Sequence, residues 1–225
     1  MRTPLMAAFT AIVLTCTAAG AEQTPPAEPV EAAPSPASFQ REFGTRRHVG
    51  FFFRPDIGFG YLSSSESAGS ATATMSGFSG IAGVSVGGAV SENLILAAHV
   101  FDAVAINPDV SISGLGSTST TDTTVSFLGM GPELTYYFMP ENIYLSGTLA
   151  LTRLSVSSHG NTADTNWGAG GRLAVGKEWW VSDHWGLGAK AHVSISANED
   201  PVRGTSRSNT LWTWGLGLAF SATYN

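Results

Sequence analysis

The chain is poor in cysteine, in charge and in long apolar runs. Its 225 residues include one cysteine, Cys16. Beyond that position there can be no disulfide and no thiolate metal ligand. Charged residues make up 12% of the sequence, about half the fraction usual in soluble domains. Eleven Lys and Arg face 17 Asp and Glu, for a formal net charge of −6. An acidic chain with no basic run argues against nucleic acid as a partner. After the first residues no stretch approaches the ~18 consecutive apolar residues of a membrane-spanning helix. Yet 43% of the residues are hydrophobic and 26 are glycine. An apolar composition with no spanning helix points to strands.

The first residues have the pattern of a signal peptide: Arg2, the apolar stretch from Leu5 to Leu14, and the small-x-small site Ala19-Gly20-Ala21. Cleavage near Ala21 is expected, leaving 1–21 as the signal. A second reading is a lipoprotein signal built on Cys16, with Thr15 where such signals want a smaller residue. Loss of Arg2 leaves 10 basic against 17 acidic residues, a net charge of −7. Residues 22–46 are expected to form a Pro/Ala/Glu-rich disordered tether, because 22–40 hold five Pro and three Glu and cannot bury a core. Capture of a partner by this tether is the second reading. The domain proper is expected over 47–225.

From Arg47 onward the hydrophobic period is two. Val49, Phe51, Phe53, Pro55, Ile57, Phe59 and Tyr61 form one face, and His48, Gly50, Phe52, Arg54, Asp56, Gly58 and Gly60 the other. The same alternation runs through 185–196 and 212–224. The short segments at 90–96, 139–145 and 181–187 resemble one another: each is a polar turn with an acidic centre (Glu92, Glu141, Asp183) followed by an apolar alternation. Between them lie Ser-, Thr- and Gly-rich stretches at about 63–73, 107–122, 157–165 and 198–208, read as longer loops. Three short turns and four long loops make eight strands.

Large side chains bracket the greasy faces 12 residues apart: Val49 and Tyr61, Trp167 and Trp179, Trp212 and Tyr224. Twelve residues span roughly 40 Å of strand, or roughly 30 Å along a membrane normal at the tilt of a transmembrane barrel. Tyr61, Trp167, Trp179, Trp185, Trp212 and Tyr224 are the expected membrane-interface aromatics. Arg54, Asp56, Glu133, Arg172, Glu178 and Lys190 all fall on the polar face. A soluble ligand-carrying barrel would place its charges on the opposite face. Lys177 stands on the greasy face near a strand end, where it can snorkel.

These features resemble the small bacterial outer-membrane barrels typified by OmpA, OmpX and OmpW. The resemblance covers 47–225 and rests on strand spacing, on Gly129-Met130-Gly131-Pro132-Glu133-Leu134-Thr135-Tyr136-Tyr137-Phe138, and on the final strand Gly217–Tyr224, here followed by Asn225. It implies an all-β, eight-stranded, antiparallel up-and-down transmembrane β-barrel. Its short turns would be periplasmic and its longer loops extracellular. It implies a bacterial outer-membrane location and a monomer among outer-membrane lipids and lipopolysaccharide. Contact with the barrel-assembly machinery during biogenesis follows as well.

Three local motifs invite a functional reading. Gly171-Arg172-Leu173-Ala174-Val175-Gly176-Lys177 matches most of a phosphate-binding loop, but Glu178 follows where Ser or Thr must hold magnesium, and the segment alternates like a strand. His192 and Ser194, with Glu199 beyond, echo the His-x-Ser pair of barrel lipid A deacylases, but their parity turns them inward. His48, His99 and His192 share lumen-facing parity without metal-ligand spacing. The expected lumen polar network is Arg54, Asp56, His99, Glu133, Arg172, Glu178, Lys190 and His192, with acids paired to bases. No cofactor is expected. The function expected is a non-enzymatic integral barrel with a structural or surface-contact role and a largely plugged lumen. The alternatives are a transporter or narrow channel for small hydrophobic molecules, and a lipid-modifying enzyme of the outer membrane.

Overall fold

The computed structural model describes residues 47–68, 71–201 and 208–225. The signal peptide and the tether expected at 1–21 and 22–46 lie outside the described residues. Eleven strands follow in order: β1 (Phe51–Ala68), β2 (Ala71–Ser91), β3 (Leu94–Ile106), β4 (Asp109–Ile112), β5 (Gly116–Ser119), β6 (Thr123–Phe138), β7 (Ile143–Ser158), β8 (Asn161–Asp164), β9 (Gly168–Trp180), β10 (Trp185–Pro201) and β11 (Ser208–Tyr224). Eight of them (β1, β2, β3, β6, β7, β9, β10 and β11) pair antiparallel with their chain neighbours, and β1 also pairs with β11, which closes the ring. The expected all-β, up-and-down, eight-stranded barrel is the observed one.

The register fixes the shape of the ring. Pro55 pairs with Val84, then in turn Val100, Met130, Leu151, Ala169, Ala197 and Trp212, which pairs back to Ser65. One circuit therefore climbs ten residues, from 55 to 65. Eight strands with that stagger tilt by about 40° and enclose a cylinder of roughly 8 Å radius, just wide enough for side chains to fill.

Parity sorts the residues as the alternation requires. Val49, Phe51, Ile57, Phe59 and Tyr61 are exposed on the outer wall, while His48, Phe52, Arg54 and Asp56 are buried in the lumen. Leu216, Leu218 and Phe220 face outward, and Ala219 and Ser221 inward. Two inward glycines make room for lumen rings. A Cβ on Gly129 would lie 2.2 Å from the Phe101 ring, and one on Gly176 would lie 2.5 Å from that of Tyr144. The short turns use asparagine where the backbone turns left-handed, at Asn93 (φ 61°) and Asn142 (φ 54°), a conformation Asn tolerates better than most residues.

Where they are described, the four Ser/Thr-rich stretches are largely paired strand. Pairing continues to Ala68↔Ala71 and to Pro201↔Ser208, and β4, β5 and β8 occupy much of 107–122 and 157–165. With water on both faces these extensions need no apolar alternation, so the sequence signal fades while the ladder persists. Cross-strand hydroxyl pairs hold them: Ser65–Thr74 at 3.1 Å, Ser67–Thr72 at 3.0 Å and Ser157–Thr162 at 2.9 Å.

The outer wall carries two aromatic girdles. On the turn side are Phe51, Trp179, Trp185 and Tyr224, with Trp185 edge-on to Tyr224 at 5.3 Å. On the loop side are Tyr61, Trp167, Trp212 and Trp214, with Tyr61 and Trp214 5.9 Å apart. Lys177 is half-buried at the turn-side end, as snorkelling requires. It is not the sole outward charge. Asp102 and Arg153 also have outward parity, each half-buried near the loop-side end. Asp102 accepts a bond from Ser126 (2.8 Å), and Arg153 pairs with Asp164 (2.9 Å) beside the Trp167 ring (5.9 Å).

Candidate functional site

All eight residues expected in the lumen network are buried inside the ring. They occupy a charged layer between two apolar clusters. On the turn side, Phe52, Ile95, Ala97, Tyr137 and Tyr144 pack together. On the loop side lies a cluster that includes Leu62, Ile81, Phe101, Val125, Phe127 and Leu154. Each cluster touches a cation of the layer: the Arg54 guanidinium lies 4.6 Å from the Tyr144 ring centre, and that of Arg172 lies 3.6 Å from the Phe101 ring centre.

Within the layer, Glu133 on β6 is the hub. One of its oxygens accepts from Arg54 Nη2 (2.8 Å), Ser85 (3.0 Å) and Thr135 (3.3 Å); the other lies 2.8 Å from His99 Nδ1. Arg54 also reaches Glu178, at 4.0 Å, and Glu178 accepts hydrogen bonds from Tyr137 (3.0 Å) and Thr223 (2.7 Å). Lys190 donates to Asp56 at 2.7 Å across a sequence separation of 134 residues. Burial of these charges is tolerable because each is paired or multiply hydrogen-bonded.

The expected pairing of three acids with three bases is corrected in one respect. Arg54 takes two glutamates and Lys190 takes the aspartate. Arg172 has no carboxylate oxygen within 4 Å among the described residues, and packs on Phe101 instead. The cause is position: the stagger brings Glu133 and Glu178 toward β1, whereas Arg172 on β9 faces Thr148 and Ser194 across its neighbouring strands.

At the turn-side mouth His48 is fully buried. It sits 2.8 Å from Asn142 Oδ1 and stacks on Tyr137 at 3.5 Å. Its backbone carbonyl accepts from Asn93 N (3.2 Å), and Arg47 pairs with Glu92. Tyr137 and Thr223 belong to the network although charge alone does not select them; their signal is parity, shared with Glu133 on β6 and Ser221 on β11. At the loop-side mouth a cavity of about 180 Å³ opens over Leu154 and Leu211, with Glu66, Asp164 and Asp200 among its lining.

The tempting motifs fall apart in three dimensions. Residues 171–177 are the middle of strand β9 and precede no helix. His192 and Ser194 are buried in the lumen, while Glu199 is exposed on the opposite face of β10, so the three form no triad. No group of three His, Cys, Asp or Glu among the described residues could hold a metal ion.

No protein-family model matches the chain, and no curated protein matches it. Solved structures do. Neisserial surface protein A superposes with a TM-score of 0.55 at 17% identity, covering 78% of this chain and 96% of that one. The outer membrane protein OprG from Pseudomonas aeruginosa gives 0.46 at 14% identity, covering 80% and 99%, and the outer membrane protein AlkL gives 0.43 at 12%, covering 89% and 96%. The fold is that of the small bacterial outer-membrane β-barrels.

Proposed function

We propose that this chain is an integral outer-membrane barrel with a closed lumen, whose work is done by the hairpins it holds above the membrane. The observation that carries the reading is the layered lumen: a tier in which Glu133 joins Arg54 and His99 and Asp56 pairs with Lys190, pressed between two apolar clusters. A cylinder of roughly 8 Å radius filled in this way has no continuous water path. The outer wall supports the membrane part of the reading. Its belt of exposed Leu, Val, Ile and Phe between two aromatic girdles suits acyl chains and would be a liability in water. The barrel then stands as a monomer among outer-membrane lipids and lipopolysaccharide, after insertion by the barrel-assembly machinery. The β1–β2, β4–β5 and β7–β8 hairpins are polar, strand-built and project from one rim, which fits a surface-contact role.

Liposome swelling tests the closed lumen. Vesicles carrying the refolded protein should shrink and stay shrunken in small sugars or amino acids. Rapid re-swelling would favour the transporter reading, for which the loop-side cavity would be the entry.

A further inference from the structure

The cavity of about 180 Å³ at the loop-side mouth has two kinds of wall. Met75, Leu154, Val156 and Leu211 form an apolar floor. Leu154 and Leu211 belong to the loop-side apolar cluster, and Met75 and Val156 pack against it. The rim is acidic, with Glu66 near the end of β1 and Asp200 near the end of β10. Ala197, three residues before Asp200, pairs with Trp212 of the loop-side girdle, so the rim stands above that girdle.

Register brings the two acids together. Glu66 pairs with Leu211, and Asp200 with Asn209, across the two neighbours of one strand end. Asn209 donates to Glu66 at 2.6 Å, a bond from a neutral amide that leaves the negative charge in place. No lysine or arginine among the described residues pairs with either acid. The third acid of the rim, Asp164, is met by Arg153 at 2.9 Å. Burial and the neighbouring Glu66 charge push the Asp200 carboxyl above its ordinary range, as expected where like charges share a confined mouth.

An amphiphilic cation satisfies both walls. An anion would be repelled by the rim. A neutral apolar molecule would leave the two carboxylates facing each other, and an inorganic cation would leave the floor uncovered. An ammonium can donate charge-assisted hydrogen bonds to the rim while its apolar body covers the floor. Size sets that body: an apolar cavity of roughly 150 Å³ takes one benzene.

We infer that the loop-side cup is a binding site for a small primary amine carrying a single ring, its ammonium held by Glu66 and Asp200 and its ring on the floor of Met75, Leu154, Val156 and Leu211. Binding here does not require a closed lumen. The two readings fail separately, one in equilibrium binding and the other in passage of solute.

The test is calorimetric titration of phenethylamine into the refolded full-length barrel in a zwitterionic detergent, with empty micelles subtracted. The wild type should bind the amine saturably. It should bind phenethyl alcohol, the same body without the charge, at least about tenfold more weakly. Glu66→Gln/Asp200→Asn should lose about the same factor for the amine and leave the alcohol unchanged. Ala73→Trp, on the cup wall beside Glu66, should abolish both. Heat-modified gel mobility checks that each variant is folded; if one of the two fails to refold, the other decides. No saturable heat from the wild type overturns the inference, as does equal affinity for amine and alcohol. Undiminished amine binding by Glu66→Gln/Asp200→Asn or by Ala73→Trp overturns it too. So does binding that emerges only in Arg203→Gln/Arg207→Gln, since the chain's own arginines would then already satisfy the acids.

Discussion

Asp56 and Lys190 show what a single side chain is worth in this lumen. Each is almost completely buried and each has the other as its charged partner at 2.7 Å. Asp56→Asn leaves the ammonium without a counter-charge and should cost about 3–5 kcal/mol of barrel stability, read from urea unfolding in lipid vesicles. The double variant Asp56→Asn/Lys190→Met should cost clearly less than the two single changes added together, since the second change removes the charge that the first one stranded. Additive losses would mean that the pair does not interact. Parity alone placed both residues in the lumen, because it depends only on counting along one strand. Their pairing could not be read that way. It depends on the stagger accumulated around the ring, which brings β10 and β1 together across β11. The same limit explains Arg172: an inward charge was legible, but its lack of a carboxylate was not.

A strand crossing the membrane is defined by its two faces, and β11 states the rule most simply. Leu216, Leu218 and Phe220 are exposed outward, and Gly217, Ala219 and Ser221 line the interior. Leu218→Arg should cost about 2–4 kcal/mol if it lies near mid-membrane, less nearer the interface. Ala219→Ser should be nearly neutral by comparison. The reverse order would invert the barrel. Above the loop-side girdle the rule lapses. There Ser and Thr pair across hairpins with both faces in water, and the sequence looked like loop where the structure is sheet. Asp102 and Arg153 were missed for a related reason. They sit near that girdle, where an outward charge can reach water or a neighbour, so a strict apolar face is no longer required.

For the molecule as a whole, the two rims differ. One has the turns at 92–93, 139–142 and 181–184 together with the start of β1 and the end of β11; the other has the long hairpins. A cysteine at Ser117, in β5, should react with an impermeant label on intact cells, and one at Glu141 only after the outer membrane is opened. Labelling at Glu141 alone would place the barrel upside down. The closed lumen is the claim on which the functional reading rests, and single-channel recording in a planar bilayer reaches it most directly. The wild-type protein, inserted from detergent at moderate salt, should give a quiet baseline with no steady unitary conductance. Well-resolved, long-lived current steps from the wild type would contradict the packed lumen and return the protein to the channels.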